Sequence, residues 1–456
     1  MKKLIATLLV GVMSLSLIAC GAEKETKVEE TKDETLQTEE TQETSESTEA
    51  VEADITLWTY PIGKFADAET VNGFIATFNE KNPGINVSVE YLDYTSGDDQ
   101  VTAAIEAGTT PDIIMEGPER LVSNWGAKGK MVDLSDLWDA EAMEDIALTS
   151  KAIVTACQSP DGVFYEYPLC MTTHCMAINY EMFEAADALQ YINEDRTWTT
   201  ENFEKAMQAL KDNGVETTGV VYCGGQGGDQ GTRALASNLY SAKFTNEAHN
   251  EWTMNQEAGV KGLQKLVDLS NAGLLSYDAG AVASDELQLF ANGTIAMSFC
   301  WNASNEAQYA SSVAFTPYAV AFPSEDGTPE LCGGIWGFGI FDNGDDVKVQ
   351  AAKKFIEFIA DDEVQGPLSV QSTGFFPVRA SYGNVYTGTA DEARMSVYAE
   401  FMKYLSDYYN VAPGWAEQRT AWWNLLQQIF GGEDVQTATD NYVKISNEAT
   451  LAASNS

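Results

Sequence analysis

The sequence predicts an α/β protein, and three observations carry that expectation. Strand-like and helical runs alternate from Asp54 to Ala360, a strand, turn and loop signature sits near residue 110, and the last stretch, Glu392 to Ala449, is almost wholly helical. At 456 residues, 44% of them hydrophobic, the chain suits two to three domains with substantial cores.

The first strand is Ile55-Thr56-Leu57-Trp58, and Val71, Phe74, Ile75 and Phe78 then recur at helical spacing until Asn82-Pro83-Gly84 turns the chain. Ile85, Val87, Val89 and Tyr91 alternate as a second strand. The stretch IEAGTTPDIIMEGPER, Ile105 to Arg120, ends a helix at Gly108, turns through Pro111 and makes a short strand at Ile113 to Met115, half of a βαβ unit. Glu116, Gly117, Pro118, Glu119 and Arg120 follow at the carboxyl end of that strand, where open α/β sheets bind ligands. Trp125 to Trp138 reads as a helix and an amphipathic connection, and Tyr165 to Asn179 as one long extended segment. A helix over Thr197 to Gly214, a strand at Val220 to Cys223 leading into GGQGGDQG, a helix through Leu263 to Leu269, a strand at Ile295 to Phe299, another at Ile335 to Phe341 and a helix at Val347 to Ala360 complete the alternation. There is no internal repeat and no second apolar run of membrane length.

The N-terminus reads as an export signal: Lys2 and Lys3, an apolar run from Leu4, then Leu17-Ile18-Ala19-Cys20. The LIAC ending looks like a bacterial lipobox, which makes residues 1–19 a lipoprotein signal peptide and Cys20 the lipidated N-terminus, held on the membrane by more than one acyl chain. Residues 20–53 are Glu, Thr, Lys and Ser with few apolar residues, the composition of an acidic, disordered tether. The formal net charge is −43, of which about −35 falls on the body, so a nucleic-acid partner is excluded on sign. Such a surface confers solubility and says little about a small ligand.

The remaining cysteines, Cys157, Cys170, Cys175, Cys223, Cys300 and Cys332, fit no disulfide scaffold. Cys170, His174 and Cys175 look like half a metal site, but neighbours in a strand face opposite ways and buried free thiols fit better; no metal and no cofactor is expected. With only His174 and His249, and neither HExxH nor GxSxG, a histidine-based catalytic site has little scope. Glu116 and Glu119 could pair as glycosidase acids, as could many carboxylates in so acidic a chain.

ITLWTY, FNEKNPGINVSVEY, AIEAGTTPDIIM, GKMVDLSDLW, YPLCMTTHCMAINYEMF, WTTENFEKAMQALKDNG, FANGTIAMSFCW and AAKKFIEFIADDEVQ with GFFPVR behind it, followed by the closing helices, come in an order that resembles the extracellular solute-binding proteins of sugar ABC transporters, the maltodextrin-binding-protein-like group. The resemblance spans essentially the whole mature length. It implies two α/β lobes, each a mixed sheet flanked by helices, joined by a hinge of several crossing segments with ligand held between them. Crossings near Pro168, Pro317 and Pro377 would give an N-lobe of 54–168 and 317–377 and a C-lobe of 169–316 and 378–451. It further implies a monomeric receptor, anchored by lipid to the outer face of the cytoplasmic membrane as on a Gram-positive cell, that delivers a carbohydrate to the permease subunits of an importer. A receptor for a glycerol-phosphate-like or other polar solute is the alternative, and a surface glycoside-acting enzyme a more distant one.

For sites, the family pattern after PDIIM sets an aromatic, an acid and an arginine against sugar hydroxyls; here Glu116 takes the aromatic's place, and Glu119 and Arg120 keep the acid and the base. Trp301 matches the stacking aromatic after the AMSF-like strand, with Asn302 beside it. Arg419 stands where the family has a sugar-stacking aromatic in the helical tail, and Trp415 lies four residues earlier. A pyranose needs aromatic platforms and planar polar groups. Trp58 and Tyr60, after the first strand, suit cleft and core alike; Trp336, inside GGIWGFGI, suits core better. The loop GGQGGDQG offers Gln226, Asp229 and Arg233 but lacks the lysine and spacing of a nucleotide loop.

Overall fold

The computed structural model describes residues 52–93, 96–225, 229–406 and 408–454, within one compact unit. The signal peptide, Cys20 and nearly all of the acidic tether lie outside the described residues. Eleven strands occur among those residues: β1 Ala53–Thr59, β2 Ile85–Tyr91, β3 Ile113–Glu116, β4 Tyr167–Thr173, β5 Cys175–Asn179, β6 Val220–Tyr222, β7 Ser276–Asp278, β8 Met297–Trp301, β9 Pro317–Val320, β10 Gly333–Ile340 and β11 Phe376–Pro377. They form a six-stranded sheet in the order β11-β4-β10-β3-β1-β2, a three-stranded sheet β8-β5-β9 and a parallel pair β6-β7.

In the large sheet β1 runs parallel to β2 and β3, and β10 runs antiparallel to both β3 and β4. Alternation in β1 turns Ile55 and Leu57 into the core. The helix Ala68–Lys81, capped by Asp67 accepting from the Glu69 N–H at 3.1 Å, buries Val71, Ile75 and Phe78 against the sheet. The helix Gly97–Ala107 stops at Gly108, whose φ of 66° is the left-handed conformation that favours glycine. The β3 strand then follows directly, so Tyr60, after β1, and Glu116, at the end of β3, come to one rim of the sheet.

Two hydrophobic cores result. The first gathers side chains from Ile55 to Met171 and from Ile335 to Val378, with Tyr408 added from the tail; the second gathers Cys175 to Cys332 and Tyr386 to Val443. The extended run expected over Tyr165 to Asn179 is two strands, because it leaves one sheet at Thr173 and joins another at Cys175, and the His174 N–H donates to the Cys332 carbonyl at that point. The second crossing, expected near Pro317, lies elsewhere. Pro317–Val320 pairs with β5 throughout its length, and the chain stays with the second core until Cys332, entering β10 at Gly333.

Sequence reasoning also placed a helix in Trp125 to Trp138. A short π-helical turn, Leu121–Gly126, occupies its start, and Gly126 and Gly129 end it; the regular helices come later, at Ala140–Thr149 and Lys151–Ala156. Each is capped by a side chain: Asp139 accepts from the Ala142 N–H at 2.8 Å and Ser150 from the Ala152 N–H at 3.2 Å. All six described cysteines are buried free thiols. No described helix is long and apolar enough to cross a membrane.

The helical tail does not remain with the second core. Met402, Leu405, Tyr408 and Val411 pack on the first core while Tyr404 and Tyr409 pack on the second, so this part of the tail is a strap across both bodies. Ser123 Oγ donates to the Val411 carbonyl at 2.7 Å and ties the strap to the turn after β3.

Candidate functional site

The rim of β3 builds a buried polar network from three elements. Gly117 and Pro118 open a short helical turn, so Glu119 and Arg120 fold back over the strand end instead of extending into water. Arg120 then makes a fork to Asp98 on the Gly97–Ala107 helix, with Nε to Oδ1 at 2.8 Å and Nη2 to Oδ2 at 2.7 Å. Its Nη1 lies 3.0 Å from Glu116 Oε1 and 3.7 Å from Glu119 Oε1. Tyr60 O–H donates to Asp98 Oδ1 at 3.1 Å, and Tyr408 O–H, brought in by the strap, donates to Glu119 Oε2 at 2.8 Å.

The electrostatics follow from that geometry. Burial pushes Glu116 up to about 8, with the neighbouring carboxylates Glu119 and Asp98 adding to it and Arg120 opposing. Burial likewise raises Glu119. At Asp98 burial works upward too, but the bidentate Arg120 outweighs it and holds the carboxyl below the usual range. Arg120 remains charged: burial opposes its charge, and Glu116 and Asp98 more than offset that. Its hydrogen-bonding edge is committed to protein carboxylates, and what it offers outward is its planar face.

That face meets the second body. The Arg120 guanidinium lies 4.5 Å from the centre of the Trp415 ring, and Arg419 lies 4.2 Å from the same ring. Trp415 starts the helix Trp415–Phe430, placed there by Pro413 and a left-handed Gly414 at φ 80°. On this helix Gln418 Oε1 accepts from Arg233 Nη2 at 2.6 Å, and Arg233, fully buried, lies over Phe244, Tyr409 and Trp422. Trp423 packs by its ring against Tyr222 at the end of β6.

Among the described residues, several buried polar atoms have no hydrogen-bond partner: Trp415 Nε1, Gln418 Nε2 and Trp423 Nε1 on this helix, Asn410 Oδ1 on the strap, and both oxygens of Glu166 just before β4. Buried polar groups are nearly always satisfied, so each of these atoms is a candidate for a partner outside the chain. Trp415 and Trp423 are eight residues apart on one helix, about 12 Å along its axis, a reach suited to an extended ligand rather than a single small ion.

The expected site residues divide on this map. Tyr60, Glu116, Glu119, Arg120, Trp415 and Arg419 are brought together, and Trp336 stands edge-on to Tyr60 at 6.4 Å between ring centres. Trp58 is half-buried on the first core. Arg233 reaches the Trp415–Phe430 helix through Gln418. Gln226 lies outside the described residues, as does the side chain of Asp229, whose backbone begins the helix Asp229–Asn238.

Trp301 and Asn302 stand apart from this cluster. Strand β8 continues through Trp301, which pairs with Cys175 and is wholly buried; its indole N–H donates to Tyr398 O–H at 2.8 Å, with Phe290 and Tyr309 packed around the ring. Asn302 caps the following helix, its Oδ1 accepting from the N–H groups of Ser304 and Asn305. Asp98, Glu166, Tyr408, Gln418 and Trp423 escaped the sequence reading. Trp423 alone carried a usable signal, an aromatic in the helix already singled out for Trp415.

Residues 63–366 match the model of a family described as bacterial extracellular solute-binding protein. The fold is similar to that of an ABC substrate-binding protein from Listeria monocytogenes solved with cycloalternan (18% identity, 88% of this chain and 99% of that one, TM-score 0.69). It is similar as well to a cyclic α-maltosyl-1,6-maltose binding protein from Arthrobacter globiformis (19%, 89% and 100%, 0.68) and to a maltose/maltodextrin-binding domain from Bdellovibrio bacteriovorus bound to maltotriose (15%, 88% and 100%, 0.66). Among curated proteins none matches the chain.

Proposed function

The chain belongs to the bacterial extracellular solute-binding proteins, and from that membership we propose that it captures a carbohydrate between its two bodies and delivers it to an ABC importer. The observation that carries the ligand class is the set of buried, partnerless N–H donors on the Trp415–Phe430 helix, opposite a carboxyl-rich rim. Hydroxyl groups accept from such donors and donate to such carboxyls, while indole faces cover the apolar side of a sugar ring. The saccharides named with the similar structures support the same class.

The phosphorylated-polyol alternative loses ground on the same geometry. Arg120 is engaged by Asp98 and Glu116, and buried carboxyls surround the place where a phosphate would come. The protein acts as a receptor rather than an enzyme, and works as a monomer tethered through lipidated Cys20 to the outer face of the cytoplasmic membrane of a Gram-positive-type cell. Ligand closes the two bodies because only the closed form contacts it from both sides.

A thermal-shift screen of the purified protein against mono- and oligosaccharides and polyol phosphates tests this. A saccharide at 100 times its dissociation constant stabilises by about 2.7 kcal/mol; a response to polyol phosphates alone would reverse the choice, and product formed on long incubation would revive the enzyme reading. Cys20→Ser should release the protein from cells with affinity unchanged.

A further inference from the structure

Glu166 differs from every other acid at the junction. It directly precedes β4, where its backbone carbonyl accepts from Trp138 Nε1 at 3.0 Å. The residue is fully buried and neither carboxyl oxygen has a partner among the described residues. Its neighbours are engaged: Asp98 with Arg120 and Tyr60, Glu116 with Arg120 and the Gly117 N–H at 2.6 Å, Glu119 with Tyr408. The place around Glu166 is also built for a carboxyl. The ladder between β10 and β4 is irregular between Trp336 and Gly337, and a Cβ at residue 337 would stand 2.6 Å from Glu166 Oε1, so the glycine makes the room.

Burial raises this carboxyl well above its ordinary range, with Glu119 and Glu116 adding to the effect, and a carboxyl in its protonated form presents one donor and one acceptor side by side. Two adjacent hydroxyls on a sugar ring present the same pair. We propose that Glu166 is a ligand-contact residue, gripping a pair of adjacent hydroxyls of the captured saccharide from the first body while Trp415 and Gln418 hold it from the second. The inference rests on the carbohydrate reading above. It moves the specific polar grip from the arginines to a residue that the sequence did not single out.

The test is titration calorimetry of the full-length mature protein with maltotriose, cellotriose, xylotriose and the glucosamine trimer, alongside urea unfolding without ligand. Glu166→Met keeps volume and removes hydrogen bonding; it should weaken the best neutral trisaccharide by about tenfold or more without lowering the unfolding midpoint, since it also removes an unpaired polar group. Glu166→Gln restores a donor and an acceptor and should bind within about threefold of wild type. A purely structural role predicts the reverse, a lower midpoint and unchanged affinity. Glu166→Met binding like wild type overturns the proposal. Preference for the glucosamine trimer that Glu166→Gln abolishes also overturns it, because an ionised carboxylate would then be meeting an ammonium. If wild type binds none of the saccharides, the carbohydrate reading falls and this inference with it.

Discussion

Glu286 in the second body and Glu166 at the junction are both fully buried glutamates, and burial pushes both up, Glu286 to about 8. They part in what surrounds them. Glu286 accepts from Ser298 Oγ at 2.8 Å and from the Phe299 N–H at 2.6 Å, so one carboxyl fastens a helix to strand β8. Glu166 has no such partners. Two tryptophans make the same contrast: the Trp301 N–H is spent on Tyr398, while the Trp415 N–H has no partner among the described residues. Residue type is the same within each pair and all four side chains are buried, so hydrogen-bond accounting is what separates structure from recognition.

The contrast is strongest in the tryptophans. Trp301→Ala should cost about 3–5 kcal/mol of stability in urea unfolding, the usual range for emptying a buried aromatic site, with saccharide affinity per folded molecule unchanged. A stable Trp301→Ala protein that no longer binds would return Trp301 to the cleft. Trp415→Ala should do the opposite, weakening the best saccharide by about 2 kcal/mol, roughly thirtyfold, at a smaller cost in stability than Trp301→Ala. Equal stability losses in the two variants would erase the distinction.

The glutamates give a smaller effect, visible in pH dependence. Between the ordinary range near 4.5 and about 8, folded Glu116 and Glu286 keep protons that the unfolded chain has released. Unfolding free energy therefore falls as pH rises through that window and levels off above it. Glu286→Gln, which copies the protonated form, should flatten part of that decline. A decline as steep in the variant as in wild type would show that Glu286 does not contribute to it. The smallest effect is expected from deleting residues 21–53: less than tenfold in affinity, about 1.4 kcal/mol, because their composition suits a tether.

How much of this the sequence made legible follows from the range of the interactions. Local periodicity was enough for β1, β2, β3 and the Ala68–Lys81 helix, and Gly108 with Pro111 set the rim where Glu116, Glu119 and Arg120 stand. What it missed was decided by distant chain. His174 breaks an otherwise uniform strand-like run because the strands on either side belong to different sheets, and Pro317 looks like a crossing only until β5 is known to pair with it. Trp301 follows an apolar strand in sequence yet completes it in space, because Cys175 lies opposite. Glu166 and Tyr408 acquire meaning only when the strap sets the phenol against Glu119, 289 residues away.

The central claim is that the ligand supplies the partners missing at the junction of the two bodies. Crystallising the protein with the strongest saccharide from the screen tests it most directly. The account predicts sugar oxygens within hydrogen-bonding distance of Trp415 Nε1 and Gln418 Nε2, with the rings lying along the Trp415–Phe430 helix. A saccharide seated instead in the amide-lined groove on the far side of that helix, among Asn424, Gln427, Gln428 and Asn441, with the junction unchanged, would contradict it.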